Sequence, residues 1–223
     1  MSELFPILSI ETSDNICGAC LYFNSKKFFA ANVVLKHSHS DKLFEVIESV
    51  LKVGETPLSQ IKSIAVSSGP GSFTGLRIGM SAAKGLAQSL NIPIIKVPSF
   101  EALALQLSEV LADGSVFTIA NKVGRDELYY AKFQINSNSY IFNQQLKIVS
   151  VNSAYLFNDN DLVFGNIDSD KINKKIIYRN ISVPNAEFVA KWAEKSGKTL
   201  SVHDIDFVEP DYLKDFIVKE KKL

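Results

Sequence analysis

Ser67-Ser68-Gly69-Pro70-Gly71-Ser72-Phe73-Thr74-Gly75-Leu76-Arg77-Ile78-Gly79 sets four glycines and a proline between two periodic stretches. Before it, Ile61 to Val66 (I-K-S-I-A-V) reads as a buried strand. After it, apolar residues at Leu76, Met80, Ala83, Ala87 and Leu90 keep helical spacing from Thr74 to Leu90. The stretch is therefore a tight strand-to-helix turn. Such a turn presents backbone N–H groups at a helix N-terminus, where the dipole favours an anion.

The familiar anion-binding motifs do not fit. A P-loop needs Lys-Ser or Lys-Thr after its second glycine, and Thr74-Gly75-Leu76-Arg77 has neither. Gly69, Gly71 and Gly75 are spaced G-x-G-x-x-x-G, one residue too long for the dinucleotide fingerprint, and the preceding segment reads as a strand meander rather than the opening of a βαβ unit. A turn that simply lets a helix pack closely stands beside the anion reading. Gly75, Gly79, Ala82 and Ala83 line one side of the helix, which admits another backbone, either the chain's own sheet or a partner helix. A helical glycine costs about 1 kcal/mol against alanine, so Gly75, Gly79 and Gly85 are not there for propensity.

The 223 residues allow one domain or two small ones, and 46% hydrophobic composition suffices for a real core. Lys plus Arg equals Asp plus Glu at 24 each, so no global field recruits nucleic acid, and any RNA contact is local or shared. The N-terminus lacks a basic signal region and no apolar run approaches the ~18 residues that span a bilayer, so a cytoplasmic protein without membrane contact is expected. Cys17 and Cys20 form C-x-x-C, yet they lie in the strand-like run Ile16 to Phe23, where residues three apart face opposite sides of a sheet. Buried structural thiols are expected.

Along the chain the reading is strand Ile7 to Thr12, strand Ile16 to Phe23, strand Lys27 to Leu35, helix Asp41 to Lys52, strand Ile61 to Val66, helix Thr74 to Leu90 and strand Pro93 to Val97. Phe44, Ile47, Val50 and Leu51 are assigned to the buried face of the first helix and Ser40 to its N-cap. After a helix at Phe100 to Leu111 the pattern restarts, with strands at Val116 to Ala120, Glu127 to Ile135 and Tyr140 to Val149. Short strands at Leu162 to Phe164 and Lys175 to Tyr178 follow, then a helix at Asn185 to Lys195. Two consecutive βββα-type units imply a duplicated α/β architecture with two lobes and a cleft. Lys219-Glu220-Lys221-Lys222 reads as a solvated tail.

Ile7-Leu8-Ser9-Ile10-Glu11-Thr12-Ser13, the Ser67 to Gly79 string, Lys84-Gly85-Leu86-Ala87 and Pro98-Ser99-Phe100-Glu101-Ala102-Leu103 together resemble the TsaB (YeaZ-like) family. Glu209-Pro210-Asp211-Tyr212-Leu213 resembles its C-terminal E-P-x-Y-L signature, whereas Ala120 to Tyr129 departs from its D-A-R-x-x-E-V-Y pattern. The resemblance implies a two-lobed actin-like ATPase fold with duplicated βββαβα units and an abbreviated second lobe. Residues 1–100 would form the lobe carrying the partner-binding helices, and 101–223 the second, with its extreme C-terminus packing back on the first. It further implies a non-catalytic subunit that binds TsaD, and with TsaE completes the machinery transferring threonylcarbamoyl to the adenosine beside the tRNA anticodon. Contact with tRNA would be indirect, and the chain alone would self-associate as a homodimer through the same helices.

On that basis Leu43, Ile47, Gly75, Leu76, Gly79, Met80 and Ala83 are the expected partner-binding residues. A bulky charged residue at Gly79 or Met80 would then disrupt pairing without unfolding. Glu11, Thr12, Ser13, Gly69, Gly71 and Ser72 would form a vestigial phosphate loop. No cofactor is expected, with a nucleotide shared at the TsaD interface left open. No metal is expected either. The TsaD relative's H-x-x-x-H falls on Ser99 and Leu103, and His37-x-His39 lacks further ligands and reads as a polar helix-entry loop. The alternatives are a small-molecule kinase of the same fold using Glu11 and the Gly69 to Thr74 turn on ATP, and a dinucleotide-binding module, which the glycine spacing disfavours.

Overall fold

The computed structural model describes residues 4–34, 39–153, 156–168, 172 and 174–213. His37 of the His-x-His pair and the Lys219 to Lys222 tail lie outside these. The first sheet is built from β1 (Ile7–Glu11), β2 (Ile16–Asn24), β3 (Lys27–Val34), β4 (Ser63–Gly69) and β5 (Ile94–Pro98), with β1 and β4 fully buried at its centre and β3 a largely exposed edge. β1, β2 and β3 form an antiparallel meander, while β4 pairs parallel with both β1 and β5. The second sheet repeats the pattern with β6 (Val116–Lys122), β7 (Glu127–Ile135), β8 (Tyr140–Ser150), β9 (Leu162–Gly165) and β10 (Ile177–Arg179), in the spatial order β8-β7-β6-β9-β10.

Helices α1 (His39–Val53) and α2 (Phe73–Leu90) cover one face of the first sheet. α3 (Ser99–Leu107) and α4 (Ala186–Leu200) cover the other. α3 is apolar nearly all round because it serves two layers: Ala102 and Leu105 face the first sheet, while Phe100, Leu103, Ala104 and Leu107 pack on the second. The chain returns to the first lobe with α4, and β11 (Ser201–Val202), absent from the sequence reading, then pairs antiparallel with β5. Between β8 and β9, and between β9 and β10, no helix occurs among the described residues; this is the abbreviation of the second lobe.

Two local expectations are corrected. β4, α2 and parallel β5 do form a βαβ unit, so the glycine spacing alone separates this turn from the dinucleotide fingerprint. α1 begins at His39, placing Ser40 inside the helix, where its hydroxyl donates to Asp41 Oδ1 at 3.0 Å. Cys17 and Cys20 are free and buried in the two different core layers flanking β2, as opposite sheet faces require.

The glycines of α2 are explained by contact with β1's continuation. A Cβ on Gly75 would come 2.0 Å from the Thr12 carbonyl oxygen, and one on Gly79 would come 2.3 Å from Thr12 Oγ1. Thr12 Oγ1 in turn donates to the Gly75 carbonyl at 2.8 Å. The small-residue side of α2 thus rests on the chain's own sheet, while Gly85 faces open space with nothing within 4 Å. Gly75→Ala is expected to destabilise by roughly 2–3 kcal/mol, because backbone must move. Gly85→Ala is expected to stabilise by about 0.5–1 kcal/mol. Urea denaturation of both variants checks the opposite signs.

Candidate functional site

The loop that follows β1 and the turn that follows β4 meet at the N-terminus of α2. Ser72 N donates to the Ser13 carbonyl at 2.5 Å, and Ser72 caps the helix by accepting from Gly75 N at 3.3 Å. A Cβ at Gly71 would lie 2.4 Å from the Ser13 carbonyl oxygen. The glycine at 71 therefore admits Ser13 itself. Gly69, at φ +123° before a cis Gly69-Pro70 bond, has Asp211 O 2.9 Å from its notional Cβ, and Asp211 N donates to the Ser68 carbonyl at 2.7 Å. The structure thus brings Glu11, Thr12, Ser13, Gly69, Gly71 and Ser72 together, with much of the room around the glycines taken by the chain's own backbone.

Glu11 is fully buried at the centre of this junction. Its Oε1 accepts from Ser13 N and Ser13 Oγ, each at 2.5 Å, and its Oε2 from Ser67 Oγ. Burial raises its pKa to about 7 against the opposing pull of these donors, and the Asp14 charge adds to the rise. Ser68 Oγ and Ser99 Oγ are buried hydroxyls without a hydrogen-bond partner among the described residues. Leu103 is in the core.

A cleft of about 250 Å³ opens between the lobes, lined by Ser13, Asp14, Gly71, Ser72, Asn121, Lys122 and Asn166 among others. Asp14 ties its walls together, accepting from Asn166 Nδ2 at 3.0 Å and Ser182 Oγ at 2.6 Å. Asn121 Nδ2 donates to the Ser182 carbonyl at 2.7 Å, and Lys122 pairs with Asp168. The segment that departs from the family pattern, Ala120 to Tyr129, thus forms part of the cleft wall. No group of three or more His, Cys, Asp or Glu suited to a metal occurs among the described residues. His39 is buried with Nε2 3.1 Å from the Ile16 carbonyl oxygen.

The partner-binding set requires correction. Ile47, Met80 and Ala83 are buried in the core beneath α1 and α2, Leu76 is buried beside Gly69, and Gly75 and Gly79 press on Thr12; Leu43 is also buried, yet it borders the groove between α1 and α2. A charged residue at Gly79 or Met80 would act on the fold rather than on a surface. Phe44, assigned to the buried face, is 52% exposed. Leu43, Val46, Ile47 and Val50 already complete an i, i+3, i+4, i+7 stripe, and Phe44 lies about 100° further round the helix. With Phe73, Arg77, Ile78, Ser81 and Ala82, Phe44 lines an open, mainly apolar groove of about 600 Å³ between the outer sides of α1 and α2.

A strap formed by the C-terminal segment edges this groove. Val208 is buried in the same core, Lys84 Nζ donates to the Asp206 carbonyl at 3.0 Å, and Asp211 pairs with Lys96. Tyr212 packs on Phe73 with ring centroids 5.2 Å apart and its hydroxyl accepts from Arg77 Nε at 3.0 Å. The sequence flagged Tyr212 only through the E-P-D-Y-L signature and gave no sign of its partners.

The family model described as TsaD: tRNA N6-adenosine threonylcarbamoyltransferase matches residues 33–156. The tRNA threonylcarbamoyladenosine biosynthesis protein TsaB of Haemophilus influenzae is 26% identical over 96% of each chain. A tRNA N6-adenosine threonylcarbamoyltransferase of Geotalea daltonii is 38% identical over 33% of this chain and 22% of its own. YeaZ from Pseudomonas aeruginosa superposes with a TM-score of 0.77 at 21% identity, covering 93% of this chain and 99% of that one. The chain belongs to the family that the TsaD model describes, as a TsaB/YeaZ-like member with the actin-like fold.

Proposed function

We propose that this chain is a TsaB-type subunit in the synthesis of threonylcarbamoyladenosine in tRNA. It binds a TsaD-type threonylcarbamoyltransferase, and with TsaE completes the complex, while carrying no catalysis itself. The observation that carries the reading is the open apolar groove between α1 and α2. The TsaD model matches the stretch containing both helices, so an equivalent helix pair is expected in the partner. Two such pairs can meet about a pseudo-two-fold axis, each laying its ridges in the other's groove. The same geometry would let the chain pair with itself when alone. Contact with tRNA would come through the assembled complex, and the protein would work in the cytoplasm. No described helix is long and apolar enough to cross a membrane.

The kinase reading gains no support from the junction at Glu11. Both carboxylate oxygens are engaged by Ser13 and Ser67, and Thr12, Ser13 and Asp211 crowd the turn that would cradle phosphate.

Light scattering on size-exclusion fractions of this chain, alone and mixed with the TsaD-type protein of the same organism, tests the main reading. Phe44→Asp is expected to abolish the mixed complex with the unfolding midpoint retained, since Phe44 is 52% exposed on the groove. A tRNA-modification assay should lose product when the chain is omitted. Turnover of ATP by the isolated chain would favour the kinase instead.

Glu11 makes a separate pH prediction. Its folded pKa lies above the ordinary carboxylate value, so its protonated form favours folding. That contribution is full below about pH 4.5 and is lost as pH rises to about 7. Relative to Glu11→Gln, the native chain is expected to lose stability on the order of 3 kcal/mol between pH 4.5 and pH 8, measured by urea denaturation across the range. Parallel curves for the two proteins would refute it.

A further inference from the structure

Arg77 occupies an unusual position for a surface cation. Its guanidinium lies over the Phe73 ring, with Cζ 3.8 Å from the centroid, and 5.8 Å from the centroid of Tyr212. Nε is committed to the Tyr212 hydroxyl, whereas the Nη groups meet no acceptor among the described residues. Phe73 and Arg77 both line the α1–α2 groove. Tyr212 is itself fixed from behind, because the neighbouring Asp211 is bonded to the Ser68 carbonyl and to Lys96, and Val208 is anchored in the core.

We propose that Tyr212 is a positioning residue of the partner groove. It holds Arg77 against Phe73 at the mouth, so that the groove selects a helical face that carries a carboxylate opposite Arg77. This rests on reading the groove as the partner surface. A planar guanidinium held by stacking and by one hydrogen bond retains four N–H donors and loses little freedom on pairing, which suits it to recognise a carboxylate. An unrestrained arginine would have to be ordered during binding, at a loss of affinity. The strap thereby makes the end of the chain part of the recognition surface.

Calorimetric titration with the TsaD-type protein of the same organism, at 50 and 300 mM salt, tests the proposal. Arg77→Ala and Tyr212→Ala are each expected to weaken binding about 10-fold, and Tyr212→Phe about 3-fold. The double variant should be within about 2-fold of the single ones, since the two residues act as a unit. Affinity of the native chain should fall with salt, and Arg77→Ala should remove that dependence. Should Tyr212→Ala fail to fold, the comparison of Tyr212→Phe with Arg77→Ala carries the same cycle. Native affinity in the Tyr212 variants, or fully additive losses, overturns the proposal if Phe44→Asp still abolishes binding. Native affinity in Phe44→Asp as well removes the groove reading and this proposal with it.

Discussion

The contact on which the first lobe depends is the seating of α2 on the end of β1, where helix and strand approach more closely than any side chain allows. Gly75 and Gly79 leave space that Thr12 fills with its carbonyl and hydroxyl, and the Thr12 hydroxyl donates back to the helix. Close approach fixes the direction of α2, and the direction of α2 determines which of its residues face outward. Phe73, Arg77 and Ile78 reach the groove because Leu76, Gly79, Met80 and Ala83 are held inward. Packing and recognition are two sides of one helix.

Much of this architecture was legible in the sequence because its strands are short, apolar and separated by strong turn signals. β7 was read from Glu127 to Ile135, the bounds it has. β11 escaped because two half-buried residues carry no periodicity. The buried face of α1 was misphased at Phe44: six apolar residues in nine positions leave the stripe ambiguous until its sheet is known. The small-residue side of α2 suggests a partner face, because spacing cannot distinguish a helix packed on its own sheet from one packed on another chain. The junction at Glu11 was visible as three separate motifs, but its hydrogen bonds span 56 residues of sequence. Tyr212 is further still from Arg77, 135 residues away.

The two lobes show what a duplicated plan does when one copy is reduced. Both sheets keep a three-stranded meander followed by two parallel strands. The first retains helices in both crossovers of its parallel part, whereas the second reaches β9 and β10 with no helix between strands among the described residues. α3 compensates by packing against both sheets, which makes it the mechanical joint of the molecule. Glu101 on α3 accepts from the Tyr140 hydroxyl on β8, which in turn accepts from Trp192 on α4. This chain of bonds couples the joint to both lobes.

The two thiols of β2 lie on opposite faces of one strand, Cys17 beneath α1 and α2 and Cys20 beneath α4. They are the only cysteines in the chain. Each is shielded by a different helical layer, so each thiol becomes reactive only when its own layer lifts from the sheet. The protein consequently carries two internal gauges: labelling at Cys17 times excursions of the groove-bearing helices, and labelling at Cys20 times release of the returning C-terminal helix.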